Sequence, residues 1–129
     1  NSPDSINHLD WNNLKKYPEV FNYYSGMIVL RKAHPAFRMG NADEVRKHLE
    51  FLDVPKGVVA FRLKDYAGGD SWKDIIVILN ANKETIEITI PEGNYTVVTR
   101  NGKVDCNGLG SLTGNIAIVE PQSAIIMHQ

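Results

Sequence analysis

The period of the hydrophobic pattern changes near residue 48, and this change constrains the fold more than any other feature of the sequence. Between residues 18 and 33, apolar side chains recur every three or four positions, which is the spacing of one helix face. Beyond residue 48, short segments alternate apolar and polar side chains and are separated by Gly, Asn or Pro. Short, regularly spaced strands are typical of an antiparallel β-sandwich. We therefore expect a mainly β fold of about seven or eight strands, preceded by one or two helices.

The segment 18–33 has both a start and a stop signal for a helix. Pro18 suits the first turn, where its missing N–H costs no hydrogen bond, and Pro35 ends the helix after a basic last turn. Large aromatic side chains on an apolar helix stripe are usually packed in a core, so we expect Phe21 and Tyr24 to be buried. The apolar stripe comprises Val20, Phe21, Tyr24, Met27 and Ile28.

A second, short helix is predicted over residues 42–48. Asn41 can accept a hydrogen bond from the first turn, and Glu44 follows three residues later, as in a capping box.

The rest of the chain is predicted to form strands joined by turns. We expect turns at 91–94 and at Asn101–Gly102, and a loop around Gly108, Gly110 and Gly114. The strands are predicted at 49–52, 59–64, 74–80, 85–90, 95–99, 115–119 and 123–127.

Charge and cysteine content exclude several classes of function. Lys and Arg number 14 against 15 Asp and Glu, so the net charge is −1 and nothing points to nucleic acid or an anionic membrane as a partner. No apolar run approaches the roughly 20 residues of a membrane span. Cys106 is the only cysteine, which excludes an internal disulfide and a cysteine-rich zinc site.

The length of the chain sets a second limit. At 129 residues it suits one domain, and it is too short for a (β/α)8 barrel, which needs roughly 200 residues or more. The first residues include neither an initiator Met nor a signal-peptide pattern. We therefore expect a fragment of a longer protein.

The polar residues form no complete catalytic set. Asp65, Asp70 and Asp74 surround a Gly-rich loop and are predicted to form a solvated hairpin end. We expect no metal and no cofactor, because the histidines lack the spacing of metal ligands and no glycine-rich phosphate loop is present. The histidines are His8, His34, His48 and His128.

Nearly the whole sequence resembles a known family. The run LRKAHPAFR over residues 30–38, after NSPDSIN over 1–7 and YPEVFNYY over 17–24, resembles the end of the barrel in type I pullulanases of the α-amylase superfamily. The strand sequences VAFRL over 59–63 and IIVILN over 75–80 are similar to the C-terminal β-sandwich of those enzymes.

The resemblance implies an organisation and an activity. Residues 1–47 would be the last loop and last helix of a catalytic barrel, and residues 48–129 a C-terminal β-sandwich that stabilises it. The intact enzyme would hydrolyse α-1,6-glucosidic branch links in pullulan, starch or glycogen. The catalytic carboxylates of the family lie upstream of this stretch, so the fragment alone is expected to be inactive. Its implied partners are the α-glucan substrate and the barrel of the same chain.

The resemblance also implies a sugar contact near the first residues. In this superfamily the loop after the eighth barrel strand often reads Asp-x-x-Asn-Arg, and its Asp and Arg bind sugar. Here Asp4 and Asn7 match the pattern, whereas His8 stands where the Arg would be. Asp4 and Asn7 are therefore the expected substrate-binding residues of the intact enzyme. Alternatively, they hold the loop through bonds to its backbone.

Other functions remain open from the residues alone. The chain could be a free-standing carbohydrate-binding module that stacks sugars on Trp72 and Tyr66, or an unrelated interaction protein. The apolar surface of helix 18–33 also predicts that the isolated fragment can dimerise.

Overall fold

The computed structural model describes residues 18–129, which form two α-helices followed by seven antiparallel β-strands. The helices are α1 (Pro18–Ala33) and α2 (Ala42–His48), and single 3-10 turns lie at Pro35–Arg38 and Ala67–Gly69. The strands are β1 (Leu49–Phe51), β2 (Val58–Leu63), β3 (Ile75–Asn80), β4 (Ile86–Arg100), β5 (Lys103–Val104), β6 (Gly110–Val119) and β7 (Ser123–His128). The predicted mainly β fold with preceding helices is confirmed.

Both helices begin and end as their local sequences dictate. Pro18 opens α1, and the helix ends at Ala33, shortly before Pro35. The Asn41 side chain accepts a 2.8 Å hydrogen bond from the backbone N–H of Glu44, which caps α2 as predicted. Neither helix in residues 18–129 is long and apolar enough to cross a membrane.

The strands follow the order β1-β2-β3-β7-β4-β5, and β6 pairs with β4. β3 and β7 lie at the centre, in the register Ile75↔His128 to Asn80↔Ser123. Most residues of β3 are buried, which explains why its sequence is continuously apolar.

Two cores lie on opposite faces of this sheet. On one face, the ribbon of β4 and β6 packs over β2, β3 and β7, so that Ile88, Tyr95 and Val119 share a core cluster with Ile76 and other central residues. On the other face, Leu30 of α1 and the 3-10 turns pack against β2, β3 and β7. The two layers that pack around the first core are those of the predicted sandwich.

β4 corrects the predicted turn at 91–94. The chain continues through this stretch as one strand, with a shift of register against β6 between Thr89 and Gly93. Pro91 has no N–H to donate to the ladder, and such a residue fits an irregularity in a strand. The Tyr95 hydroxyl donates to the Pro91 carbonyl across this bend. Gly110 and Gly114, predicted in a loop, lie in β6 opposite Val97 and Gly93.

The predicted tight turn at Asn101–Gly102 is confirmed. Both residues have left-handed φ values, 51° and 73°, and they join β4 to β5 through the pair Arg100↔Lys103. Two positive φ values in succession match the twist of a two-residue hairpin, which favours Asn followed by Gly.

The contacts of α1 correct a second expectation. Phe21 and Tyr24 are 48% and 63% exposed, so they are not packed in a core of the described chain. The helix instead turns a narrow side towards the sheet, with Gly26 against Val104 and Leu30 fully buried. Because Gly26 has no Cβ, the helix can approach β5 closely. This approach decides which face of α1 is covered by the sheet.

Candidate functional site

The segment after α1 is fixed to the sheet by one buried carboxylate, that of Asp70. His34 donates from Nδ1 to Asp70 Oδ1 at 2.9 Å, and the Ala36 N–H donates to Oδ2 at 3.2 Å. The Trp72 N–H also donates to Oδ1, at 2.9 Å. Asp70 and His34 are 4% and 8% exposed, so these bonds are shielded from water. An ionised carboxylate only accepts, and Nδ1 of His34 therefore carries the proton.

Trp72 lies between two imidazole rings. The centroid of its ring system is 3.5 Å from that of His34 and 3.7 Å from that of His128, with interplanar angles of 22° and 6°. Two rings at such short separations cannot share one face of the indole, so they lie on opposite faces. His34, Asp70, Trp72 and His128, which we call the histidine–tryptophan stack, thus join the end of α1, the β2–β3 connection and the last strand.

The stack changes the acidity of two of its members. Burial alone would raise the pKa of the Asp70 carboxyl, but hydrogen bonds from His34 and from the Trp72 and Ala36 N–H groups outweigh it and lower that pKa. Burial lowers the pKa of His128, the neighbouring His34 adds to this lowering, and Asp70 opposes it. At neutral pH the folded chain therefore favours an ionised Asp70 and a neutral His128.

A second buried carboxylate, Asp74, holds the end of the chain. Arg62 donates to Asp74 Oδ1 from Nη2 at 3.1 Å, and the Gln129 side-chain amide donates to Oδ2 at 3.3 Å. The backbone N–H groups of Lys73 and Asp74 both donate to the Gln129 carbonyl. The prediction that Asp65, Asp70 and Asp74 form a solvated hairpin end is therefore wrong for Asp70 and Asp74, since both are buried.

The arrangement is suited to joining segments and not to catalysis. Both buried carboxylates are engaged by a basic side chain, and neither lies in the wall of a described cavity. Within residues 18–129, no three His, Cys, Asp or Glu side chains are placed to hold a metal ion. His48 donates from Nδ1 to the Lys64 carbonyl at 2.8 Å, and Cys106 is half-buried against the second core.

The predicted sugar-stacking residues do not form a platform in this arrangement. Tyr66 is 53% exposed at a left-handed turn position, with a φ of 56°. Trp72 is half-buried with a histidine on each face, so a sugar ring would have to displace His34 or His128. Asp4 and Asn7, the expected substrate-binding residues, lie outside the described residues.

Sequence reasoning missed the histidine–tryptophan stack because its members are far apart in the chain. His34 and Asp70 are 36 residues apart, and no local pattern pairs them. One signal is present in the sequence: an Asp two residues before Trp72 predicts that the Trp72 N–H donates to the Asp70 side chain, as in a typical Asx turn.

Two apolar cavities lie on the side of the sheet that α1 partly covers. One, of about 460 Å³, is lined by residues of α1, β2, β3 and β7. Another, of about 300 Å³, lies between β1, β2 and α2. Phe37 and Phe61 line both, so the two cavities adjoin.

Comparison with known proteins gives one family. Residues 45–103 match the family model described as "Pullulanase, all-beta domain". A pullulanase of Bacillus subtilis (strain 168) is 44% identical over 90 residues, which is 70% of this chain and 12% of that protein. The solved pullulanase of Bacillus acidopullulyticus is 41% identical, with a TM-score of 0.89, and the match covers 98% of this chain and 15% of that one.

A second solved structure repeats the pattern. The solved type I pullulanase of Bacillus subtilis str. 168, described as complexed with maltose, is 34% identical with a TM-score of 0.84. The match covers 98% of this chain and 18% of that one. The chain therefore carries a stretch, residues 45–103, that matches the pullulanase all-beta domain, and it spans less than a fifth of the length of each of these pullulanases.

Proposed function

We propose that this chain is part of a debranching enzyme of the pullulanase type, which hydrolyses α-1,6-glucosidic links in pullulan, starch or glycogen. The observation that carries the proposal is the match of 98% of the chain, at 41% identity, to 15% of one solved pullulanase. The maltose complex of a second relative supports an α-glucan as the substrate class. We call the longer polypeptide that would contain this chain the parent enzyme.

Residues 1–47 are proposed to end the catalytic barrel of the parent enzyme, and residues 48–129 to form its C-terminal sandwich. The start of the family match at residue 45 supports a boundary close to this point. The exposed apolar side chains of α1 support it too, because a helix of this kind needs a further surface to cover it.

The role proposed for the sandwich is structural. Retaining hydrolysis of a glycosidic bond needs two carboxyl groups about 5–5.5 Å apart at an open cleft. The buried carboxylates of this chain are instead bonded to His34 and Arg62 and hold segments together. The sandwich would therefore stabilise the barrel, while the rest of the parent enzyme supplies the acid and the nucleophile.

The test compares the parent enzyme, the isolated chain and the parent enzyme lacking residues 48–129. Release of reducing ends from pullulan is expected from the parent enzyme and not from the isolated chain. Removal of the sandwich is expected to lower the melting temperature and the soluble yield. Hydrolysis by the isolated chain would overturn the proposed division of roles, and an unchanged melting temperature would contradict the structural role.

Asp4 and Asn7 are proposed to contact the glucan in the parent enzyme. Asp4→Ala and Asn7→Ala are then expected to raise KM for pullulan, with little change in melting temperature. If the two residues only hold the loop, the melting temperature and kcat fall while KM stays unchanged.

The free-standing binding module is tested on the isolated chain. Calorimetric titration with maltotriose is expected to give no heat, because Trp72 has no uncovered face. Saturable heat that disappears in Tyr66→Ala would establish a sugar site of the sandwich.

A further inference from the structure

The sequence contains two Asn–Gly pairs, Asn101–Gly102 and Asn107–Gly108. In such a pair the backbone nitrogen of the glycine can attack the side-chain carbonyl carbon of the asparagine, because glycine has no Cβ to hinder the approach. The attack needs a glycine N–H that is free of hydrogen bonds and a backbone that can turn towards the side chain. The structure meets these two conditions at the first pair and not at the second.

Asn101 and Gly102 form the tip of the hairpin between β4 and β5, and both are exposed. The Gly102 N–H donates to no acceptor in the described part of the chain. No described atom lies within 4 Å of the position that a Cβ on Gly102 would take, so the turn has room to move. β5 has only two residues, and a short terminal ladder of this kind opens at a low cost in free energy. The nitrogen of Gly102 is therefore unbonded and can reach the Asn101 side chain when the turn opens.

The second pair is held in place by its neighbours. The Asn107 N–H donates to Asp105 Oδ1 at 2.9 Å, and the Gly108 N–H donates to the Asp105 carbonyl at 3.0 Å. Gly108 is half-buried, and a Cβ on it would come within 2.8 Å of the Thr96 side chain. The attacking nitrogen is thus bonded and its backbone is confined, which makes Asn107–Gly108 an internal control for the first pair.

We propose that Asn101 is a site of spontaneous modification, at which the chain converts its own asparagine to aspartate and isoaspartate. A bond forms between the Gly102 nitrogen and the Asn101 Cγ, the Gly102 nitrogen loses its proton to water, and the side-chain nitrogen leaves as ammonia. Water then opens the five-membered imide ring at either carbonyl, which gives aspartate or, with the backbone passing through Cβ and Cγ, isoaspartate. One water is consumed and one ammonia is released, with no change of oxidation state. The reaction needs no residue of a catalytic site and is independent of the proposed function.

Isoaspartate at this turn would weaken the contact between β5 and α1. It lengthens the backbone by one carbon atom within a two-residue turn, and the pair Arg100↔Lys103 depends on the fit of that turn. β5 carries Val104 against Gly26 of α1, so a loosened turn also loosens the helix. Aspartate, in contrast, keeps the ordinary backbone and tolerates a left-handed φ, and it should change the fold little.

The test incubates the folded chain in mildly alkaline buffer, well below its melting temperature. Samples are digested with an acid protease, so that no conversion occurs during digestion, and mass spectrometry measures the carboxylate form at Asn101 and Asn107. In the folded chain Asn101 is expected to convert at least about tenfold faster than Asn107, whereas in urea, where both pairs are unfolded, the two rates should be similar. Equal rates in the folded chain, or faster conversion of Asn107, would overturn the proposal. A rate at Asn101 in the folded chain below about a hundredth of its rate in urea would overturn it as well.

Two variants separate the modification from its effect on the fold. Glycine adopts the left-handed φ of 51° readily and has no amide to lose, so Asn101→Gly is expected to keep its melting temperature through the same incubation. Freshly prepared Asn101→Asp is expected to melt close to the fresh unsubstituted chain, and the incubated unsubstituted chain to lose melting temperature in step with its isoaspartate content. An incubated chain that contains isoaspartate and melts like the fresh chain would overturn the link from the turn to α1. An equal loss in Asn101→Gly would overturn the assignment of the loss to Asn101.

Discussion

Removal of the Asp70 carboxylate tests the histidine–tryptophan stack most directly. In Asp70→Ala, the Nδ1–H of His34 and the N–H groups of Ala36 and Trp72 lose their acceptor in a site from which water is excluded. Each buried donor left unbonded costs about 1–3 kcal/mol. Three donors lose their acceptor and such losses are not fully additive, so we expect Asp70→Ala to lower the free energy of unfolding by about 3–5 kcal/mol.

Asp70→Asn distinguishes the hydrogen bonds made by the two oxygens of the carboxylate. Oδ1 accepts from both His34 and Trp72, whereas Oδ2 accepts only from Ala36. The amide oxygen of Asn can keep the first two bonds, and only the Ala36 N–H then faces an amide NH₂ group. We therefore expect Asp70→Asn to cost about 1–3 kcal/mol, less than Asp70→Ala.

The assay is urea unfolding of the isolated chain, followed by far-UV circular dichroism and by the fluorescence of its two tryptophans. Asp53→Ala is the control, because Asp53 is exposed in the β1–β2 connection and its loss should change stability by less than about 0.5 kcal/mol. A loss below about 1 kcal/mol in Asp70→Ala, or an equal loss in both Asp70 variants, would refute this account of the hydrogen bonds.

Three further predictions concern other contacts. The pKa of His128 is lower in the folded chain than its ordinary value of 6.5, so the folded chain binds fewer protons there; stability should be fully present above about pH 6.5 and decline as the pH falls through the folded pKa. His128→Gln should remove this decline in urea midpoints, and an unchanged pH profile would contradict the assignment. Gly26→Ala should cost about 1–3 kcal/mol, because a Cβ there would lie 2.7 Å from the Val104 Cβ. Val104→Gly removes that Cβ, so Gly26→Ala should cost much less when it is added to Val104→Gly than in the natural chain, and an equal cost would exclude the contact as its cause. Asn80→Ala should cost about 2–4 kcal/mol in thermal or urea unfolding, since its buried amide donates to three carbonyls; a loss near zero would show that water replaces the amide.

The sequence predicts the elements of this fold better than it predicts their partners. The helix 18–33 and the turn at Asn101–Gly102 follow from local chemistry, because prolines, caps and left-handed positions act on neighbouring residues. The predicted turn at 91–94 is wrong because Pro and Gly are typical of a strand irregularity as well as of a turn. Nothing near Tyr24 shows that the helix turns its other side to the sheet, since that depends on the fit of Gly26 to a strand far along the chain.

The same distinction applies to the carboxylates. Asp70 and Asp74 have the sequence surroundings of an exposed loop, with Gly68 and Gly69 close by, and yet both are buried. Their partners come from elsewhere in the chain: His34 lies 36 residues before Asp70, and Gln129 lies 55 residues after Asp74. Burial of a charge depends on those partners, and a local pattern cannot supply them.

The run LRKAHPAFR, which is part of the family resemblance, is explained by the contacts that it makes where the chain passes from α1 to the sheet. Leu30 is buried in the second core, and His34 binds the Asp70 carboxylate. The guanidinium of Arg38 donates back to the carbonyls of residues 31 and 32 and so satisfies two acceptors at the carboxyl end of α1. The backbone at Pro35 lies so close to Gly68 that a Cβ on that glycine would come within 2.6 Å of the Pro35 carbonyl oxygen. Each of these contacts fixes the direction in which the chain leaves α1. The run is therefore suited to hold α1 at a set angle to the sheet.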